Sequence, residues 1–423
     1  MDRYFGIIGI IFILGLSYLM SNNKKAISIK TVVNGLLLQI LLAVFVLKVP
    51  LGQMIFEKIG LFIQQILAFS MQGADFVFGV LTCNPDRMCQ VFQSDVGIFA
   101  LKLIPANIFV MILVNILYYY GVMQKLIAAL GKAMNKIMQV SGAEALSNVA
   151  SSFVGQILAQ ITIKPYLNGM TRSEILASMT GSMACIAGAV MAIYISIGIP
   201  AEYLLAASIM AAPGALVISK IVYPETEESE TKDSIKIETE KTHVNVLDAI
   251  SQGASDGMDI AIKIVAMLIA LIALISMIDW ILAGFGTLLQ NIFHLSSLGV
   301  DLTHLSLKLI LGKIFSVFAF LMGVSLDQAS TVGALLGTKF AFNETLAYFD
   351  LVKISGLSHK SYVIAVFALC GFANITSIAI QIGGIGAMAP SRRKDLAELG
   401  FRALICGTFA SYVSACIAGI LCG

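Results

Sequence analysis

Polar side chains of chemical interest lie inside an apolar run near the end of the chain. Residues 361–390 are long and apolar enough to cross a bilayer, since about 20 helical residues span about 30 Å of hydrocarbon. Their centre nevertheless carries Asn374, Thr376, Ser377 and Gln381. Unpaired dipoles are unfavourable in lipid. The pattern predicts an interrupted helix that lines a polar site at half depth or, alternatively, hydrogen bonds between closely packed helices.

A second polar site is predicted at Asn343 and Glu344. Residues 325–355 read as two half-length apolar runs with this pair between them. A carboxylate at membrane depth costs about 2.5–3.5 kcal/mol on insertion scales, so it normally faces a cavity and a ligand, ion or proton. Glu344 is therefore the sharpest candidate for function, and a structural ion pair is the alternative.

A similar pattern with an uncharged tip occurs earlier in the chain. Residues 141–169 contain two apolar runs of about ten residues on either side of Gly155 and Gln156, too short to cross a bilayer. Polar side chains from Ser147 to Gln160 exclude a lipid-facing helix. A re-entrant hairpin with its tip at Gly155 and Gln156 satisfies both constraints.

The order of these features recurs along the chain. An interfacial segment, a hairpin with a polar tip, a span with a polar or small-residue middle and a further span appear twice, about 187 residues apart. Two such units of opposite orientation would form an inverted repeat, the architecture that carriers use for alternating access. The sequence identities between the units are few, so the order of elements carries the prediction.

Composition defines the class of protein. The 423 residues are 58% hydrophobic and 12% charged, with a mean hydropathy of +0.91, whereas soluble domains are about 25% charged. We predict an all-α, polytopic membrane protein with about eight transmembrane helices, two re-entrant hairpins and interfacial helices, surrounded by lipid. The sequence has no clustered basic face that would indicate nucleic-acid binding. It also has no nucleophile–base pair or metal cluster that would indicate an enzyme.

The predicted organisation has five segments. They are N-terminal scaffold spans in 1–120, a first transport unit in 121–223, a charged cytoplasmic linker in 224–245, a scaffold helix in 246–304 and a second transport unit in 305–423. Residues 52–80 are expected along the outer interface, and a span is expected from about Ala261 to Ile281. The linker, with its acidic excess, is expected to be solvated.

The positions of charged residues predict the orientation of the chain in the membrane. The lysine-rich loop at 22–30 is placed in the cytoplasm by the positive-inside rule, which puts both termini outside. Cys83 and Cys89 flank a short polar loop. They could form a disulfide on an oxidising side, or remain two thiols.

Several motifs resemble the concentrative nucleoside transporters. They are SGAEAL at 141–146, GQ at 155–156, MTGSMACIAGAV at 179–190, AASIMAAPGALVISKIVYPETE at 206–227, NE at 343–344 and the long run at 367–400. The resemblance covers nearly the whole chain in order. It implies a homotrimer in the inner or plasma membrane that takes up nucleosides with a sodium or proton gradient, by an elevator-like movement of a transport unit within each protomer.

The resemblance also implies a set of binding residues. Glu344, Asn374 and Ser377 correspond to the residues that hold the ribose hydroxyls, and Phe372 corresponds to an aromatic residue packed against the site. Asn343, next to Glu344, is a further candidate for substrate binding.

The base-reading tip departs from the family. Where the family has Gly-Gln-Thr-Glu-Ala-Pro, this chain keeps Gln156 but has Ile157 and Leu158 in place of the hydroxyl and the acid. Aliphatic side chains cannot hydrogen-bond a base edge, and a lost partner of a buried polar group costs about 1–3 kcal/mol. The base preference is therefore expected to differ from that of ordinary members.

The family's sodium site is altered as well. Its aligned positions are Ser151 and Cys185, with the carbonyl groups of Val154 and Ile186. A thiol is a poor ligand for a hard cation, which prefers oxygen. The co-transported ion is thus a proton or sodium, with a proton carried on Glu344 as our hypothesis, and no bound cofactor is expected.

These observations predict a cation-coupled symporter that imports nucleosides across the inner membrane by alternating access. A carrier for another ribose-bearing or polar solute is the first alternative, because half of the base site is replaced. A membrane sensor that binds nucleosides without moving them is the second.

Overall fold

The computed structural model describes residues 2–79, 99–232, 243–292 and 303–422. Nearly all of these residues are helical, and none of them lies in a strand. The predicted all-α class is confirmed. Cys83 and Cys89 lie outside the described residues.

The described residues form a series of α-helices. In chain order they are α1 Asp2–Leu19, α2 Ile29–Leu47, α3 Pro50–Phe78, α4 Phe99–Tyr119, α5 Val122–Met138, α6 Gly142–Val154, α7 Gln156–Ile161, α8 Arg172–Ala184, α9 Gly188–Ser196, α10 Ala201–Val222, α11 Val246–Ile292, α12 Leu307–Leu321, α13 Leu326–Ala341, α14 Glu344–Lys353, α15 His359–Leu369, α16 Ile375–Met388 and α17 Arg393–Cys422.

Apolar helices of membrane-crossing length dominate the described chain. Seven spans pass by length and composition, or eight when the bent pair α12–α13, which turns by 118°, is counted as one. One of them, α3, covers the residues predicted to lie along the interface, and its 29 residues are long enough to cross. The interfacial position of α3 stays a prediction.

The scaffold helix α11 is much longer than predicted. The expected span at 261–281 is only the middle of a continuous helix of 47 residues, which is about 70 Å long at 1.5 Å per residue. Its N-terminal part packs closely on α4, because Gly253 and Gly257 lie against the backbone at Ile112 and Ile108, where a Cβ atom would overlap.

Four helix breaks define the centre of the protein. Hairpin 1 consists of α6 and α7 and turns at Gly155, whose φ of +86° favours glycine. Hairpin 2 consists of α13 and α14 and turns at 342–343. The first broken span, α8 and α9, opens at 185–187, and the second, α15 and α16, opens at 370–374. The predicted hairpin tips and the interruption within 361–390 are confirmed.

The same order of helices occurs twice. The series α5 to α10 recurs as α12 to α17, with hairpins and broken spans at corresponding places. The repeat of elements is therefore observed, while the opposite membrane orientation of the two units stays a prediction. The most deeply buried spans are α8–α9, α10 and α17.

Thr231, near the start of the linker, packs against hairpin 1. Thr231 is 3% exposed, and its backbone and side-chain oxygens accept hydrogen bonds from the N–H groups of Gly142 (2.8 Å) and Ala143 (3.2 Å) at the start of α6. Ser229 donates to Glu174 at 2.5 Å. The expected solvation agrees with the exposed residues 226–228, 230 and 232. It is wrong for Thr231, because unpaired N–H groups at helix starts attract its oxygens. Residues 233–242 lie outside the described ranges.

Candidate functional site

The two broken spans meet where both chains are unwound. The Phe372 N–H donates to the Cys185 carbonyl at 3.3 Å. Gly371, with a φ of +121°, lies against the backbone of Ala184, and a Cβ atom there would overlap the Ala184 carbonyl oxygen. This close crossing places four helix ends, with their free N–H and C=O groups, near one point inside the protein.

Glu344 is the first residue of α14 and points into this centre. It is only 4% exposed. The Tyr194 hydroxyl donates to Oε1 at 3.0 Å, and the Asn374 amide donates to Oε2 at 3.1 Å. Tyr194 also lies 3.0 Å from the Thr345 hydroxyl. Each carboxylate oxygen of Glu344 thus has a neutral hydrogen-bond donor, which stabilises a buried carboxylate.

The polar contacts continue from Asn374 to hairpin 1. The Asn374 Oδ1 atom accepts from the Ser377 N–H at 2.9 Å and so caps the start of α16. The Ser377 hydroxyl accepts from Gln156 Nε2 at 3.0 Å. We call Gln156, Tyr194, Glu344, Asn374 and Ser377 the central cluster. It joins both hairpins and both broken spans.

Gln156 keeps one polar atom free for a ligand. Its Oε1 atom is buried and has no hydrogen-bond partner among the described residues. A buried acceptor without a partner is destabilising by about 1–3 kcal/mol. Such an atom marks a place where a ligand could donate a hydrogen bond.

Asn343 does not join the central cluster. Its Oδ1 atom accepts from the Leu346 N–H at 2.9 Å and caps α14, and its Nδ2 atom faces the Met267 sulfur on α11 at 3.7 Å. Both polar groups of the side chain are directed elsewhere. The geometry therefore gives Asn343 a role in shaping the hairpin tip, and its contact with the substrate stays a prediction. Phe372, two residues before Asn374, is partly buried.

The aliphatic residues of the hairpin 1 tip have different surroundings. Ile157 packs on α16 so closely that a Cβ atom at Gly384 would overlap it. Leu158 is 43% exposed. Gln160 points away toward α8, where it donates to Ser182 at 2.8 Å and accepts from Ser178 at 2.8 Å. Leu158, on the exposed side of α7, thus has no polar group that could form a hydrogen bond with a ligand.

The two side chains of the candidate sodium site bond to other protein groups. Ser151 donates to the Ser147 carbonyl at 2.7 Å and lies 3.1 Å from the Ser182 hydroxyl, while the Cys185 sulfur lies 3.1 Å from the Ser152 hydroxyl. The Cys185 carbonyl accepts from Phe372. A hard cation requires several oxygen ligands. With a thiol and an internally bonded hydroxyl at these positions, the side-chain donors fit sodium poorly.

Two buried residues of this region are not found by sequence reasoning. Tyr194 lies in the apolar run of α9, and its hydroxyl reaches Glu344 across 150 positions of sequence. Lys339 is a lone cation in α13 and is 1% exposed. The sequence signal that could have identified both residues is a polar group within an apolar run. That signal does not identify the partner of the polar group.

Fold and site together define a polytopic membrane transporter, and comparison with known proteins specifies the family. Residues 8–81 and 203–419 match the N- and C-terminal family models of Na+ dependent nucleoside transporters, and residues 100–201 match a "nucleoside recognition" gate. The chain belongs to this nucleoside transporter family. Its members are transporters and not enzymes, so the prediction that the chain is not an enzyme is confirmed.

Individual relatives agree with this assignment. Nucleoside permease NupC of Helicobacter pylori is 36% identical, with 99% of this chain and 98% of that protein covered. Sodium/nucleoside cotransporter 1 of Rattus norvegicus is 37% identical over 98% of this chain and 63% of that protein. A solved structure of CNTnw in an inward-facing, substrate-bound state is 38% identical, with a TM-score of 0.91 over 100% of this chain and 98% of that one.

Proposed function

We propose that this protein is a cation-coupled symporter that imports nucleosides across the inner membrane by alternating access. The observation that carries the proposal is the central cluster, in which one buried acid, two amides and two hydroxyls connect both hairpins with both broken spans. A neutral, polyhydroxylated solute needs this combination of acceptors and donors. The names of the relatives supply the nucleoside.

Each member of the central cluster has a role in this proposal. Glu344 accepts hydrogen bonds from ribose hydroxyls, since a carboxylate is the strongest hydrogen-bond acceptor in the central cluster. Asn374 and Ser377 complete the contacts to the sugar, and Phe372 packs against the solute. Gln156 offers its free Oε1 atom to a donor on the base. Ile157 and Leu158 leave the base less tightly specified.

Uptake into proteoliposomes tests this function. Labelled uridine or adenosine should exchange with internal unlabelled nucleoside in counterflow. Exchange of a different ribose-bearing solute, with none of a nucleoside, would instead favour the other carrier. Binding of a nucleoside without any exchange would indicate a sensor.

We further propose that the coupled cation is a proton carried on Glu344. The poor fit of Ser151 and Cys185 to sodium supports this, as does the burial of Glu344, because burial disfavours a charged carboxylate. Uptake should rise as the external pH is lowered, should collapse with a protonophore and should persist when choline replaces sodium. Strict dependence on sodium would contradict this part of the proposal.

The scaffold and transport units also remain our proposal. Scaffold segments 1–120 and 246–304 would stay fixed while the units in 121–223 and 305–423 move, with both termini outside. Apolar side chains exposed along α11, such as Ile262, Ile269 and Trp280, suit contact with lipid or with other copies. For a homotrimer, light scattering in detergent should give a protein mass of three 45.2 kDa chains.

A further inference from the structure

Buried charge is rare in the described residues, and most of it is paired locally. The buried charged side chains there are Glu144, Glu174, Lys220, Lys339 and Glu344. Lys220 and Glu144 form an ion pair at 2.7 Å, and Glu174 caps the start of α8 and accepts from Ser229. Lys339 and Glu344 remain, and no ion pair joins Lys339 to a carboxylate in the part of the chain that the structure describes.

Lys339 is held by backbone carbonyls instead. Its Nζ atom donates to the Ala368 carbonyl at 2.8 Å and lies 3.5 Å from the Cys370 carbonyl, at the C-terminal end of α15. Carbonyl groups at a helix end carry partial negative charge and stabilise a cation there. A neutral donor is also present, because Ser411 donates to the same Cys370 carbonyl at 2.8 Å. Ser411 thus provides a neutral contact to the Cys370 carbonyl, while Lys339 provides the contact to the Ala368 carbonyl.

Lys339 and Glu344 belong to one structural unit. They lie on either side of the hairpin 2 tip, five positions apart in the sequence. Both are bonded to the second broken span, Lys339 through Ala368 and Glu344 through Asn374. The two charges therefore move together whenever hairpin 2 and this span move.

The repeat gives hairpin 1 no such cation. The position in α6 that corresponds to Lys339 is occupied by Ser152, whose hydroxyl contacts Cys185 and the Ser208 carbonyl. The tip helix α7 carries no charged residue. Of the two hairpins, only hairpin 2 thus brings buried charges, Lys339 and Glu344, that are unpaired among the described residues, and we refer to the central cluster together with Lys339 as the site.

We propose that Lys339 is a fixed countercharge that makes the empty site electrically neutral, so that the membrane potential acts on the loaded carrier. This inference rests on the proposed cation-coupled transport. With Glu344 ionised and Lys339 protonated, the empty site has a net charge of zero. One coupled cation, whether a proton on Glu344 or a sodium ion, and one uncharged nucleoside bring it to +1. Without the lysine charge, the loaded site would be neutral and the empty site negative.

The proposed effect is large enough to measure. Moving one elementary charge through a full potential of 100 mV shifts an equilibrium about 50-fold. A site that crosses only part of the field still shifts it several-fold. Lys339 thus acts through its charge and not through contact with the substrate. If its role were purely structural, its substitution would leave the voltage dependence of nucleoside exchange by the loaded carrier unchanged.

The test is nucleoside exchange with the full chain in proteoliposomes. Uridine is present on both sides, so only the loaded carrier crosses, and a potassium diffusion potential of about −100 mV is compared with zero. Wild-type exchange should differ several-fold between the two potentials. In Lys339→Gln, the remaining exchange should be independent of potential, while net uptake should still carry one charge per nucleoside. Ser411→Ala, which removes the neutral donor, should keep the wild-type voltage dependence.

Several results would overturn the inference. Voltage dependence in Lys339→Gln equal to that of the wild type would do so. Wild-type exchange that does not depend on the potential would also do so, and this result can be obtained even if the lysine variant does not fold. Complete absence of uridine exchange by wild-type protein would instead remove the proposed function, and the inference with it. The two failures are therefore distinguishable.

Discussion

The two hairpins share a backbone plan and differ in chemistry. Each has a longer arm, a break and a short tip helix, and each tip supplies one side chain to the central cluster. Hairpin 2 contributes a buried acid with a cation five residues before it. Hairpin 1 contributes a neutral amide, and its Ser151 hydroxyl donates to the Ser147 carbonyl and lies 3.1 Å from the Ser182 hydroxyl of α8.

This difference assigns separate tasks to the two repeats. A carboxylate recognises hydroxyl donors and can carry a proton, whereas an amide offers a donor and an acceptor without charge. In the proposed function, hairpin 2 provides the sugar contact and the charge, and hairpin 1 provides the contact to the base. Substitutions that exchange these properties should affect different measured quantities.

The largest effect is expected at Glu344. In Glu344→Gln the carboxylate that accepts from Tyr194 and Asn374 is lost, and with it the group proposed to bind sugar hydroxyls and a proton. Hydrogen bonds to charged groups contribute about 1.5–3 kcal/mol each, so nucleoside uptake should fall by about 100-fold or more. Uptake of labelled uridine measures this.

The matched control neutralises another acid of the same helix. Asp350 lies on α14 and forms an ion pair with Lys308 at 2.9 Å on the surface. Such pairs contribute about 0–1 kcal/mol, so Asp350→Asn should keep most of the uptake. Wild-type accumulation by Glu344→Gln would remove Glu344 from the site.

A smaller effect is expected at Tyr194. Tyr194→Phe removes the hydroxyl that donates to Glu344 at 3.0 Å, and uridine affinity should fall by about 10-fold, as for one hydrogen bond to a charged group. Isothermal titration with purified protein measures the affinity. Tyr348 is the natural control, because it stacks on Tyr194 with ring centroids 4.4 Å apart but donates to the Val366 carbonyl. Equal losses in Tyr194→Phe and Tyr348→Phe would indicate packing rather than a contact to the acid.

Hairpin 1 allows a test of the coupled ion. The double variant Ser151→Asn and Cys185→Ser supplies the oxygen-bearing side chains that the family's sodium site uses. Sodium should then stimulate uptake by about 3-fold, because oxygen ligands favour a hard cation, and it should have no effect on wild-type protein. Each single substitution serves as a control. Sodium stimulation of wild-type uptake would show that the present donors already bind the ion.

The smallest effect is expected for base selectivity. Ile157→Thr with Leu158→Glu restores polar groups at the tip, and the ratio of uridine to adenosine affinity should change by about 3-fold while the ribose contribution stays the same. Competition by unlabelled nucleosides gives this ratio. Ile161→Glu places the same acid at another exposed position of α7 and should leave the ratio unchanged.

The sequence predicts the positions of the chain breaks well. Glycine and amide residues inside apolar runs indicate the turn at Gly155, the tip at 342–343 and the unwound segment at 370–374, because they are unfavourable in a continuous lipid-facing helix. The long helix α11 is underestimated, since its polar ends hide the continuity of the helix. The docking of Thr231 on hairpin 1 is also missed.

The partners of each polar group are harder to predict. Tyr194, Lys339 and the capping role of Asn343 depend on which distant segments meet, and hydropathy gives only depth and spacing. Glu344 is predicted to be functional from its own position, whereas its donors come from α9 and from the second broken span and could not be predicted. The candidate site is therefore anticipated by residue type and completed only by tertiary structure.

A structure of the full chain with uridine, determined by electron cryomicroscopy, tests the central claim most directly. The account predicts ribose hydroxyls within about 2.5–3.2 Å of the Glu344 carboxylate, with Asn374 and Ser377 beside the sugar and the base near Gln156. Uridine bound with its ribose away from Glu344, or in another cavity, would contradict it.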